Sequence, residues 1–236
     1  MSTTLLADEK KPLNITQIDW CPQICPDKRN AGFLVDIVNE VFQNSPYELE
    51  FHTVPWSRAI MRVRAGTADA LLSPSKSEAP ELLFPKYAIG YQRMCFFTKK
   101  SSTWRFEGIE SLKGVSIGMA TNTSVRELEA YFTQNKAQFH TMPYTKDYVE
   151  LSTNMLLSGR FDTFIFTLKS AIHQITKLGL QNKVATSGCL EEVPIYMAFA
   201  PNKAYSNELI EFFDNRFEYL AGTGRFDAIR SKYQIR

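Results

Sequence analysis

Residues 60–70 read IMRVRAGTADA and residues 153–163 read TNMLLSGRFDT. Each phrase is the end of an amphipathic helix, a glycine, two residues, an aspartate and an apolar run. Gly66 and Gly159 suit the left-handed position just past a helix end, where a side chain meets the backbone. Asp69 and Asp162 then open ALLS and TFIFT, which read as buried strands. A chain that says this twice is constrained towards two similar α/β lobes rather than one.

The patterning around the repeats supports that division. LNITQID (13–19) reads as a strand, and AGFLVDIVNEVFQ as a helix with Leu34, Ile37, Val38, Val41 and Phe42 at i, i+3, i+4, i+7 and i+8. YELEFHTVP, the helix PWSRAIMRVRAG and ADALLS continue a β-α-β-α-β order, the signature of a sheet with parallel neighbours. After the extended GYQRMCFFTKK, the strand VSIGMA restarts the pattern. A polar turn follows it, then a helix with Val125, Leu128, Tyr131 and Phe132 on one face. TKDYVELSTNMLLSG and LKSAIHQITKLG are further helices, and PIYMAFAPN (194–202) is a returning strand. NELIEFFDNRFEYLAG and GRFDAIRSKYQ are the terminal helices.

Composition narrows the function classes. At 44% hydrophobic and 22% charged, the 236 residues suit a folded globular protein. A net charge of +2 with no long basic run gives nucleic acid little to hold. No apolar run approaches the ~18 residues of a membrane helix. The opening MSTTLLADEKKP lacks a basic n-region and a full apolar h-region, so an intact signal peptide is not expected; LLA before DEKK fits the remnant of a cleaved one.

Four cysteines are present. Cys21 and Cys25 lie in WCPQICPDK between Pro22 and Pro26, which disfavour regular structure. A small loop disulfide and a pair of thiols are both open readings. Metal binding needs two further ligands, and His52, His140 and His173 are scattered without suitable spacing. Cys95, in the apolar run MCFF, is read as a small core residue. Nothing in the residues calls for a cofactor.

GFLVDIVNEVF, PWSRAIMRVRAGTADA, FPKY, SLKGVSIGMATNTS, LLSGRFDTFIF, IYMAFAPN and AGTGRFDAIRSKY together resemble the type II periplasmic solute-binding proteins of the amino-acid-binding class, extracellular solute-binding family 3. The resemblance implies the periplasmic binding protein type II fold: two α/β lobes joined by a two-strand hinge, with the ligand in the interlobe cleft. Lobe 1 is expected over 1–93 plus 200–236 and lobe 2 over 94–199. It also implies a monomeric periplasmic protein, its signal peptide removed, that delivers a small solute to the membrane permease of an ABC transporter and is not an enzyme. The alternatives are the ligand-sensing domain of a signalling receptor, since close relatives serve as such, and a dehydratase-like enzyme using an acid/base such as Glu78.

Site residues follow from that resemblance. Trp56, at the start of the PWSRA helix, stands where the family places an aromatic over the ligand; an exposed indole there offers a flat face and one N–H, and packing in the lobe core is the competing role. Trp20 has a similar reading from the opposite wall. Arg58 either grips an anionic group or lies solvated on its helix. Thr121, Asn122, Thr123 and Ser124 precede a helix, where the family holds a ligand carboxylate and where plain capping also occurs. The family's carboxylate-binding arginine falls on Glu78 or Ala79, and Lys76 is the nearest cation. The family's aspartate for the α-amino group falls on Thr167, preceded by Phe166. A threonine does not neutralise an ammonium. A solute that is amino-acid-like or a derivative, but not a standard α-amino acid, is therefore expected, against walls formed by Trp20, Trp56, Phe166, Thr167, Ser73 and Ser75.

Overall fold

The computed structural model describes residues 10–121 and 123–233. The supposed leader remnant through residue 9, Asn122 of the second-lobe turn and Gln234 at the end of the last expected helix lie outside the described residues.

In chain order the strands are β1 (Lys11–Gln17), β2 (Tyr47–Thr53), β3 (Ala70–Leu72), β4 (Gly90–Gln92), β5 (Met94–Lys99), β6 (Ile117–Ala120), β7 (Phe139–Met142), β8 (Thr163–Thr167), β9 (Val184–Cys189), β10 (Val193–Ile195) and β11 (Met197–Phe199). The α-helices are α1 (Phe33–Val41), α2 (Trp56–Arg64), α3 (Glu129–Gln134), α4 (Tyr148–Leu157), α5 (Leu168–Lys177), α6 (Ser206–Ala221) and α7 (Arg225–Lys232).

The chain divides into two units. Unit 1 takes the chain to Asp19, Gln23–Gly90 and from Ile195 onward; unit 2 takes Trp20–Pro22 and Tyr91–Pro194. The chain leaves unit 1 within β4 and returns within β10, and these two strands form a ladder of their own. Unit 1 carries a sheet in the order β11-β3-β1-β2, with β1 parallel to β2 and β3, and β11 antiparallel to β3. Unit 2 carries β7-β6-β8-β5-β9, with β6 parallel to β7 and β8, and β5 antiparallel to β8. The two sheets thus repeat one motif, three parallel strands and an antiparallel fourth, to which unit 2 adds β9.

The repeated phrase does the same work in both units. Gly66 (φ +72°) and Gly159 (φ +78°) are left-handed, ending α2 and α4. The aspartate three residues on then locks the neighbouring parallel strand in both directions. Asp69 donates its N–H to the Asn14 carbonyl at 2.8 Å, and its carboxylate accepts the Asn14 N–H at 2.7 Å. Asp162 donates to the Ser116 carbonyl at 3.0 Å and accepts the Ser116 N–H at 2.9 Å. Each carboxylate satisfies an N–H at the start of a ladder that would otherwise need water.

Each sheet is covered by the apolar faces of its helices. In unit 1, Leu34, Val38 and Val41 of α1 and Leu209 and Phe213 of α6 are buried, each contributing roughly 1.5–3 kcal/mol on removal from water. In unit 2, Leu156 and Ile175 of α4 and α5 pack with Phe97, Phe164 and Phe166 of the sheet.

Several elements differ from the sequence-based expectation. GYQRMCFFTKK and PIYMAFAPN each split into two strands, at Arg93 and at Tyr196. The helix expected over 125–132 is shorter: a single 3-10 turn at Arg126–Leu128 precedes α3, which begins at Glu129. β7 and β9 are additional strands; β9, VATSGC, has neither an apolar run nor clean alternation, the two signals a strand leaves in sequence.

Cys95 is not a plain core thiol. It is disulfide-bonded to Cys189, 94 positions away, across the β5–β9 pair. Cys21 and Cys25 are both disulfide-bonded as well, and no cysteine is free. Among the described residues no helix is long and apolar enough to cross a membrane, and no group of three or more His, Cys, Asp or Glu is gathered to hold a metal ion.

Candidate functional site

In both sheets the candidate residues gather where the parallel strands end and their loops begin, the position at which open α/β sheets bind ligands. In unit 1, β3 ends at Leu72 and Ser73 follows in the left-handed region, φ +74°, which a residue with a side chain adopts at a cost. Tyr196 holds this turn from both sides: Ser73 donates its N–H to the Tyr196 carbonyl at 2.8 Å, and Tyr196 donates to the Pro74 carbonyl at 3.0 Å. Tyr196 also meets the ring of Phe84 edge-on, and the exposed Lys76 ammonium lies 5.1 Å over its face.

Ser75 and Glu78 close a tight turn on each other. Glu78 Oε2 accepts both the N–H (2.9 Å) and the hydroxyl (2.7 Å) of Ser75, while Glu78 N–H donates to the Ser75 carbonyl at 3.2 Å. Ser75 is buried and Ala79 lies in the unit 1 core. Glu78 is thus spent on closing its own loop, and neither position where the resemblance places an arginine offers a cation.

Trp56 opens α2 behind Pro55. Its indole is half-buried, packed against the cluster of Ala59, Val63, Leu71 and Ala198, and so is less open than the sequence suggests. Arg58, two residues on, is exposed.

In unit 2, Thr121 is exposed and donates its N–H to the Met142 carbonyl at 2.7 Å, tying the end of β6 to the end of β7. Thr123 and Ser124 are half-buried and lie before the 3-10 turn, not at the start of an α-helix. The N-cap residue of α3 is Leu128, without a side-chain cap, so the expected capping of that helix by Thr123 or Ser124 does not occur. Asn122 lies outside the described residues.

Phe166 is a core residue, 6% exposed, opposite Cys95 and packed against Tyr144 (ring centroids 5.8 Å apart) and Tyr148 (4.9 Å). Thr167 ends β8. Its Oγ1 accepts the Trp20 indole N–H at 2.8 Å, and both residues are buried. Trp20 thereby groups with unit 2, as do Cys21 and Pro22, although the stretches before and after these three residues belong to unit 1.

Three residues near these strand ends escaped the sequence reading. Tyr196 is hidden inside an apolar strand run, and half-buried Tyr144 in a polar loop. Lys169 sits half-buried in the first turn of α5; burial pushes its ammonium pKa down against the pull of Glu192. A lysine in a helix's first turn opposes the helix dipole, and that mismatch was the one signal available.

The fold and its strand-end residues define a class: two α/β units, each with its own sheet and built from interleaved stretches of the chain, the periplasmic binding protein type II fold. Solved structures agree. A histidine kinase sensor domain with similarity to periplasmic binding proteins superposes with a TM-score of 0.77 at 19% identity, covering 95% of this chain and 96% of its own. A structure from the glutathione and cystine import system (GshT and TcyBC) of Streptococcus mutans gives 0.78 at 18%, covering 95% of each chain. A mutant of ArgBP from T. maritima gives 0.74 at 16%, covering 94% of each chain. A comparison with curated protein sequences yields no match. The model of the bacterial extracellular solute-binding proteins, family 3, matches residues 16–235, and the chain belongs to that family.

Proposed function

We propose that this protein is a monomeric extracytoplasmic receptor that captures a small polar solute and delivers it to the permease of an ABC-type uptake system, without chemistry of its own. The observation that carries the proposal is the reach of the family match, 16–235, which takes in both units rather than one. Four oxidised cysteines fit an oxidising compartment such as the periplasm. Glu78, the acid/base that an enzyme reading requires, is occupied by its own loop.

The proposal assigns solute contacts to Trp56, Arg58, Ser73 and Lys76 in unit 1 and to Thr121, Thr123, Ser124 and Thr167 in unit 2. Trp20 and Ser75 support them. The solute is amino-acid-like or a derivative, not a standard α-amino acid: Thr167 brings no negative charge, and an ammonium desolvated without a carboxylate partner is costly. The likeness to a sensor domain favours a second reading, in which the same solute-binding fold reports to a signalling partner.

A thermal-shift screen across amino acids, 2-oxo and 2-hydroxy acids, polyamines, organic acids and aromatic metabolites tests the proposal. One compound raises Tm by mass action, with about 2.7 kcal/mol of stabilisation at a hundredfold excess over Kd, and is recovered unchanged. Trp56→Ala abolishes that shift in a protein that remains folded. Turnover of the compound, or no response to any class, defeats the proposal.

A further inference from the structure

Thr167 occupies the N-cap position of α5, yet its side chain makes no cap bond. The hydroxyl is engaged by Trp20 instead, through a buried bond that joins residues 147 positions apart. A threonine hydroxyl has one hydrogen to give and two lone pairs to receive with, whereas an indole N–H only donates. Trp20 therefore fixes the role of Oγ1 as acceptor along that bond and leaves the hydroxyl hydrogen to be donated elsewhere. A hydroxyl that accepts one hydrogen bond is polarised into a better donor of the next.

We propose that Thr167 donates a hydrogen bond to the captured solute, and that the solute presents an oxygen there, as a 2-oxo or 2-hydroxy acid does, in place of the ammonium of an α-amino acid. This names the substrate class of the site proposed above and rests on that reading. An ammonium at the same place has donors only. It would have to share the lone pairs of Oγ1 with Trp20, strand the hydroxyl hydrogen and lose its hydration with no negative charge in return.

The test uses the full chain and matched pairs: pyruvate with alanine, 4-methyl-2-oxopentanoate with leucine, phenylpyruvate with phenylalanine, 2-oxoglutarate with glutamate, and the corresponding 2-hydroxy acids. Binding is read by thermal shift and calorimetry. The oxo or hydroxy member of at least one pair binds more than tenfold tighter than its amino partner. Thr167→Val weakens that binding about tenfold, the worth of one good hydrogen bond, and Thr167→Ser restores it. Thr167→Asp reverses the preference within the pair. The indole N–H resonance that disappears in Trp20→Phe shifts when the oxo acid binds to the wild-type protein, an independent check that the Trp20–Thr167 bond senses the solute.

An amino acid that binds the wild type as tightly as its oxo partner, or a polyamine as the preferred solute, overturns the inference and leaves the solute-binding role intact. So does any bound solute whose affinity is unchanged in Thr167→Val. A protein that answers to no compound in either series or in the wider screen has lost the underlying role, and the inference with it.

Discussion

Asp69 is buried, and its carboxylate accepts from the Asn14 N–H, the Lys203 ammonium and the Tyr205 hydroxyl. Burial alone pushes its pKa up, but the bonds from Lys203, Tyr205 and Asn14, with the charge of Lys203, outweigh it and hold the carboxyl below its ordinary value. The unfolded chain therefore takes up this proton first as pH falls. The stabilisation is complete above the unfolded pKa of about 3.9 and is lost as pH drops through the lower folded value. Asp69→Asn leaves Lys203 without its counter-charge and costs about 3 kcal/mol at neutral pH. Urea midpoints measured from pH 7 down to pH 3 should show that difference narrowing below pH 4; a constant gap would mean that the carboxylate charge is not what is lost. At this scale the sequence marked Asp69 and Asp162 as equivalent, and the structure shows the shared bond. The pairing of Asp69 with Lys203, 134 positions away, had no local signature.

At the scale of elements, the two helix–Gly-x-x-Asp–strand units permit a controlled comparison. Alanine at either glycine must hold a positive φ, at a cost of about 1–2 kcal/mol. At Gly159 a new Cβ meets only the Lys99 ammonium, at 3.7 Å, so the backbone cost stands alone. At Gly66 it approaches the Asn202 side chain to 2.6 Å and forces it to move. Chemical denaturation should show both variants destabilised, Gly66→Ala by the larger amount; an unperturbed Gly159→Ala would show that the left-handed cap is not required. The long periodic helices were legible because α1, α2 and α6 each bury one face. β7 and β9 were not, because β7 exposes His140 and Thr141, and β9 is held by pairing with β5 and by the Cys95–Cys189 bridge rather than by its own apolar pattern.

Chain connectivity sets the behaviour of the whole molecule. All five strands of the unit 2 sheet, α3 to α5 and both partners of the Cys95–Cys189 bridge lie within 91–194. A fragment of those residues has a complete sheet and its own core, and is expected to fold alone under oxidising conditions. Unit 1 is assembled from separated stretches: β11 and the core residues Leu209, Phe213 and Leu220 come from the end of the chain. A fragment of residues 10–90 leaves one side of β3 unpaired and the core without α6, and remains unfolded. Circular dichroism and amide dispersion of the two fragments check both outcomes, and a folded 10–90 fragment would contradict this account of unit 1.

By itself the sequence determined two α/β units, most of their helices, the paired Gly-x-x-Asp turns and the family, because each is written in local periodicity or in short phrases of fixed order. The reading of Thr167 as a solute contact came from the family resemblance, counted from Asp162. The tertiary structure alone decided which atoms answer one another. Cys95 finds Cys189, Glu78 turns back on Ser75, Phe166 enters the core and the Trp20 indole claims the Thr167 hydroxyl. Apart from the Ser75–Glu78 turn, these partners are far apart in the chain, where no local pattern links them. Burial, which makes an unpaired polar group costly, selects the pairs only once the chain has folded.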